Sequence, residues 1–170
     1  MNRQTLHQHL NTLHARCHKF KYIHPDPLEF VHQYSSPGDQ EIVGLFSAVL
    51  AYGRVAQILK SIRIVTEPMG SSPHDYVLGA SDSRLRADFE SFQHRWTRGC
   101  DIIQLMRGIR SLLRNYDSLE FSFLHHLDSK DTDTISALSL WTRALNPDNQ
   151  KNSLLSDPGK GSACKRLHLY

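Results

Sequence analysis

The chain has 170 residues, of which 39% are hydrophobic and 22% charged, with a formal net charge of +3. That length buries roughly 70% of its unfolded surface on folding, enough for one true core, and the composition excludes a disordered polar chain. No apolar run reaches the roughly 18 residues of a membrane span, and residues 1–20 lack the apolar stretch expected of a secretory signal.

Cys17, Cys100 and Cys164 are odd in number and form no CxxC. This points away from a disulfide or zinc scaffold and toward a reducing, cytoplasmic setting.

Helical spacing runs through nearly the whole chain. Leu6, Leu10, Leu13, Cys17 and Phe20 recur at i, i+4, i+7, i+11 and i+14, which predicts an amphipathic helix over residues 1–22. The His24-Pro25-Asp26-Pro27 string breaks it, because each proline pushes its predecessor out of the α region. Asp26 can cap a short helix with Pro27 in its first turn, carrying Leu28, Phe30 and Val31. A strong helix follows from Asp39, with Ile42, Leu45, Phe46, Val49 and Leu50 on one stripe. Gly53 interrupts, and Val55, Ile58, Leu59 and Ile62 resume. Pro68 to Pro73 reads as a loop. Residues 74–98 are weaker, with Asp82 a possible cap for a helix carrying Leu85, Phe89 and Phe92. From Asp101 the spacing of Ile102, Met106, Ile109 and Leu113 is clear. Asp117-Ser118 lead into Phe121–Leu127, and Asp131 or Asp133 caps a helix through Leu145. Residues 151–160 read as a loop and Ser162 as a helix start, so the sequence stops at Tyr170 inside an expected helix. Strand signals and Asn-Gly or Asp-Gly hairpins are absent. The expected fold is all-α, a multi-helix orthogonal bundle of about seven or eight helices.

Four segments carry candidate chemistry. His7, His14 and His18 lie within about 40° of one another on the first helix, beside Cys17, either as a metal face or as a solvated edge. No carboxylate or second cysteine completes a closed site there, so no metal is expected. Tyr52, Gly53 and Arg54 stand at a turn after an apolar helix, where an aromatic and a cation can reach a cleft; a simple glycine-capped helical hairpin is the alternative. His94-Arg95-Trp96-Thr97-Arg98-Gly99 surrounds a tryptophan with cations, suited to phosphate contact and base stacking, or else to a loop anchored by Trp96 in the core. Asp157-Pro158-Gly159-Lys160-Gly161 is a glycine-rich loop before Lys165 and Arg166. It is no P-loop, but a loop entering a helix can present free N–H groups to a phosphate; the alternative is a flexible loop with solvated lysines. At such a helix start Lys165 would meet an unfavourable dipole, which helps an amine act as nucleophile.

The strings His24-Pro25-Asp26-Pro27-Leu28, Ala51-Tyr52-Gly53-Arg54, His94-Arg95-Trp96-Thr97-Arg98-Gly99 and Lys160-Gly161-Ser162-Ala163-Cys164-Lys165-Arg166-Leu167 occur in this order. Together they resemble an uncharacterised prokaryotic protein family, over residues 23–170. That family in turn resembles the helix-hairpin-helix DNA glycosylases of base-excision repair, notably the archaeal 8-oxoguanine branch.

The resemblance implies a glycosylase-like helical domain at 23–170 that flips a damaged base from DNA into a pocket between helical lobes, with no cofactor. It implies Lys165, or else Lys160, as the nucleophile on the sugar. Gly159 and Gly161 would form the phosphate-facing turn, and Tyr52 and Arg54 would lie at the cleft. Read from the residues themselves, Gly53, Arg54, Arg95, Arg98 and Arg166 are further candidate DNA contacts. The Pro-Leu-Asp-Thr-His-like segment that supplies the family's aspartate has no counterpart, so the sequence reads as C-terminally shortened and inactive as it stands. A non-enzymatic nucleic-acid-binding or interaction module is the alternative. Leu167 and Leu169 are expected to lack partners and to invite self-association.

Overall fold

The computed structural model describes residues 2–170, and the fold is all-α. Its helices are α1 (Arg3–Cys17), α2 (Leu28–Val31), α3 (Pro37–Val49), α4 (Val55–Thr66), α5 (Pro73–Gly79), α6 (Asp82–Phe89), α7 (Gly99–Tyr116), α8 (Leu119–Leu124) and α9 (Ile135–Ala144). A two-residue hairpin, β1 (Gln93–His94) and β2 (Thr97–Arg98), sits between α6 and α7. No helix among the described residues is long and apolar enough to cross a membrane.

The core is built on α3 and α7. Ile42, Val43, Leu45, Phe46 and Val49 of α3 are buried, as are Ile102, Leu105, Met106, Ile109, Leu112 and Leu113 of α7. Two glycines let neighbours approach α7 closely. A Cβ at Gly99 would overlap the Phe89 carbonyl, and one at Gly108 the Leu145 carbonyl just after α9.

Side chains of α3 also close the ends of other helices. The Glu41 carboxylate accepts the Leu119 and Glu120 N–H groups at the start of α8, at 2.9 and 3.1 Å. Asp39 Oδ1 accepts the His74 N–H in the first turn of α5, at 2.8 Å. Arg110 of α7 donates to the Val77 and Ala80 carbonyls at the other end of α5. Each contact places a charge where it satisfies orphan backbone groups and opposes the helix dipole. Trp141 of α9 donates its indole N–H to Ser122 Oγ at 2.8 Å, tying α9 to α8.

The structure corrects several expectations. α5 stands in the stretch whose spacing is weak, opened by Pro73 in its first turn. The cap of α6 is Ser81, which accepts from Arg84 N, rather than Asp82, and α6 ends before Phe92. Beyond Ser162 there is no helix: Pro158–Lys160 makes a single 3₁₀ turn, and turns follow to the end. Cys164 there has φ 46°, a left-handed conformation that interrupts a helix. Leu167 is not an orphan either, because it packs into the core, whereas Leu169 is exposed.

Candidate functional site

The hairpin sets the site. In antiparallel pairing, His94 faces Thr97 and Gln93 faces Arg98. His94 and Thr97 point inward, 3% and 0% exposed, while Trp96 at the turn is 59% exposed. Arg95 turns the chain with φ 54°, a left-handed value that arginine seldom adopts. Gly53 lies beneath it with φ 101°, and a Cβ there would come within 3.3 Å of Arg95 Cδ. Glycine suits both that conformation and that contact.

His94 joins the hairpin to the Tyr52 turn and to α4. Its Nδ1 is 2.8 Å from Ser61 Oγ and its Nε2 is 2.9 Å from the Tyr52 carbonyl. A carbonyl only accepts, so Nε2 carries a proton, and the Ser61 hydroxyl, which can donate or accept, pairs with Nδ1.

A chain of hydroxyls crosses the same region. Tyr52 Oη bonds Thr97 Oγ1, Thr97 Oγ1 is 2.6 Å from Ser153 Oγ, and Ser153 Oγ is 2.9 Å from Asp101 Oδ2. The Asp101 carboxylate only accepts, so Ser153 donates to Asp101 and Thr97 to Ser153, and the single Tyr52 proton is shared between Thr97 Oγ1 and the His94 carbonyl, 3.0 Å away. Asp101 also accepts the backbone N–H of Arg98 at 2.9 Å and of Ser153 at 3.2 Å. Burial pushes the Tyr52 phenol above its ordinary range, so it remains a donor.

Above this network stands a column of rings and cations. The Arg166 guanidinium lies 4.8 Å from the Tyr52 ring centre. Tyr52 stacks on Trp96 at 4.8 Å with an angle of 21°. Arg95 lies 5.0 Å from the Trp96 ring centre. Arg166 donates to the Val49 and Ser153 carbonyls at 2.7 and 2.9 Å, which locks the C-terminal turns to the site. Those partners leave its charge uncancelled, and burial lowers its pKa. Among the described residues the ion-paired arginines are Arg84, Arg107 and Arg143, none of them in this column.

The residues singled out from sequence therefore divide. Tyr52, Gly53, Arg95 and Arg166 converge, with Arg54 exposed at the cap of α4 and Arg98 exposed at the start of α7. Lys165 is exposed and on no helix, so the dipole argument for its reactivity lapses. It lines an open cleft of about 250 Å³ together with Arg166 and Cys164. Lys160 opens on a different cleft, beside Arg143 and Asp157. The Gly159 N–H is taken by Asp157 Oδ1 and the Gly161 N–H by the Pro158 carbonyl, so neither glycine presents a free amide. His14 and His18 stack at 4.7 Å. No group of three or more His, Cys, Asp or Glu among the described residues could hold a metal ion.

Ser61, Asp101 and Ser153 join the site without having stood out in the sequence. Ser61 had a signal, being polar on the apolar stripe of Ile58, Ile62 and Val65. Ser153 had none, since it stands in an irregular strap.

The family described as "Protein of unknown function (DUF2400)" matches residues 26–170. No curated protein and no solved structure matches the chain.

Proposed function

The chain belongs to the DUF2400 family, whose description assigns no activity, so its own side chains carry the reading, and we propose that it binds DNA through the Tyr52–Trp96 column. The observation that carries this is a tryptophan 59% exposed yet held from below by a hydrogen-bonded tyrosine, among arginines that have no acidic partner within the described residues. A large exposed aromatic held in place by a buried network is a platform for a flat ligand, and a base stacks on it by taking the place of the Arg95 guanidinium, which is then free to meet a phosphate. Arg54, Arg95, Arg98 and Arg166 supply the complementary charge for phosphates. The preferred ligand is a single strand or a duplex with an unstacked base, because a paired base offers no face to Trp96.

Anisotropy of a labelled oligonucleotide tests this. Trp96→Ala is expected to weaken binding by about 1–3 kcal/mol, the usual worth of a base–aromatic stack. Lys21→Gln, far from the column in sequence, is expected to leave it unchanged. Equal affinity for wild type and Trp96→Ala would sink the reading.

A second reading, base excision with Lys165 as nucleophile, is favoured by one observation: Lys165 and Arg166 line the same open cleft, next to Tyr52 through Arg166. Borohydride reduction with lesion-containing DNA tests it. A covalent adduct lost in Lys165→Ala supports it, and no adduct with the wild type rejects it.

A further inference from the structure

Helix α1 is left without a partner in its own chain. None of its residues is buried, and Leu6, Leu10 and Leu13 on one stripe are 43%, 54% and 47% exposed. The side-chain hydrogen bonds of α1 stay within residues 2–12. From Asn2 to His24 the sequence has no acidic residue, and it carries Arg3, Arg16, Lys19 and Lys21. Such a helix offers apolar knobs at i, i+4 and i+7 on a basic background.

The complementary surface lies on the opposite kind of ground. A groove of about 540 Å³ runs along α2 and α3, walled by apolar side chains such as Leu28, Val31 and Ala48. Its charged residues are Asp26, Glu41 and Glu120, and no lysine, arginine or histidine lines it. Ser47 also lines it; its hydroxyl is buried and has no hydrogen-bond partner. A second cleft of about 520 Å³, with Phe123, Leu138 and Trp141 in its wall, shares Glu41, Glu120 and Tyr170 with the first. The apolar ground thus continues past Tyr170.

We infer that α1 of one copy docks in the α2–α3 groove of a second copy, giving a reciprocal dimer. Leu6, Leu10 and Leu13 enter the groove, and the basic residues flanking them meet Asp26 and Glu120 at its edge. Because each copy carries both a helix and a groove, the contact closes on itself with two-fold symmetry. The assignment does not depend on DNA binding, since the groove and the Tyr52–Trp96 column are lined by different residues.

Sedimentation of the full chain tests the proposal. The wild type is expected to sediment as a dimer whose population rises with concentration. Leu10→Asp, on a helix with no core contacts, is expected to raise the dimer dissociation constant by about 30-fold or more. Leu28→Asp with Glu120→Lys, both exposed at the groove, is expected to do the same. Mixing the two variants supplies one intact helix and one intact groove, so a heterodimer is expected to reappear. A wild type that stays monomeric at every concentration would overturn the proposal. So would a dimer indifferent to Leu10→Asp, or a mixture that fails to recover.

Discussion

Replacing Asp101 by asparagine keeps the shape of the side chain and removes the charge on which the hydroxyl chain ends. The carboxylate accepts three hydrogen bonds, from Arg98 N, Ser153 N and Ser153 Oγ. An asparagine amide has one accepting oxygen, so at least one N–H or O–H would face an NH₂ group. The bonds that remain become neutral and lose roughly half their strength. Losing one charge-assisted bond, with a buried donor left unsatisfied, costs about 3 kcal/mol. At about 2–4 °C per kcal/mol for a chain of this size, the melting temperature falls by about 6–12 °C. Urea unfolding followed by circular dichroism gives the free energy directly. A stability loss under about 1 kcal/mol, the worth of one ordinary hydrogen bond, would refute the role of the Asp101 carboxylate as the charged acceptor of these three bonds.

Other expectations follow from the packing and the charges. Gly108→Ala drives a methyl into the Leu145 carbonyl, and the overpacking cost outweighs the helix-propensity gain of about 1 kcal/mol, leaving a net loss of about 2 kcal/mol in urea unfolding. The Asp157 carboxyl is held below the ordinary aspartate range, first by the Ser139 hydroxyl and then by the Gly159 N–H and Arg143. Its contribution to stability is therefore present above its unfolded pKa of about 3.9, and it is lost as pH falls through the lower native value. Asp157→Asn is expected to flatten the stability profile in that acid window and nowhere else. Tyr52→Phe keeps the stacked ring and removes the donor shared by Thr97 and the His94 carbonyl, so it is expected to cost about 1 kcal/mol of stability while leaving most DNA affinity in place; a larger loss of binding than in Trp96→Ala would contradict the division of roles.

Periodicity carried the long helices, since Ile42–Leu50 and Ile102–Leu113 form apolar stripes that only a helix buries on one side. Punctuation carried several ends: Asp26 accepts the Leu28 N–H, Ser118 the Phe121 N–H and Asp133 the Ile135 N–H, as short polar residues before helices do. The hairpin was hidden because Arg95-Trp96 is not a turn signature, and the left-handed Arg95 is sustained by the buried His94 and Thr97 on either side. The turns after Ser162 were hidden for a related reason. Arg166 reaches the Val49 and Ser153 carbonyls, and those long-range bonds outweigh a local helical preference. Of the site, the aromatic and cationic residues were legible because their side chains are unusual together. Ser61, Asp101 and Ser153 were not, since a serine or an aspartate gains its role only from what tertiary packing sets beside it.

Trp96 as a base-stacking platform with arginines around it is open to a direct optical test. Trp141 is 1% exposed, so a quencher in solution reaches Trp96 first. The most direct measurement titrates the chain with a short single-stranded oligonucleotide and follows tryptophan emission at several salt concentrations. Saturable quenching is expected, with log K falling linearly in log salt at a slope of about −3 if Arg54, Arg95, Arg98 and Arg166 each meet a phosphate. Emission that does not change on titration, or an affinity indifferent to salt, would contradict a stacking platform at Trp96.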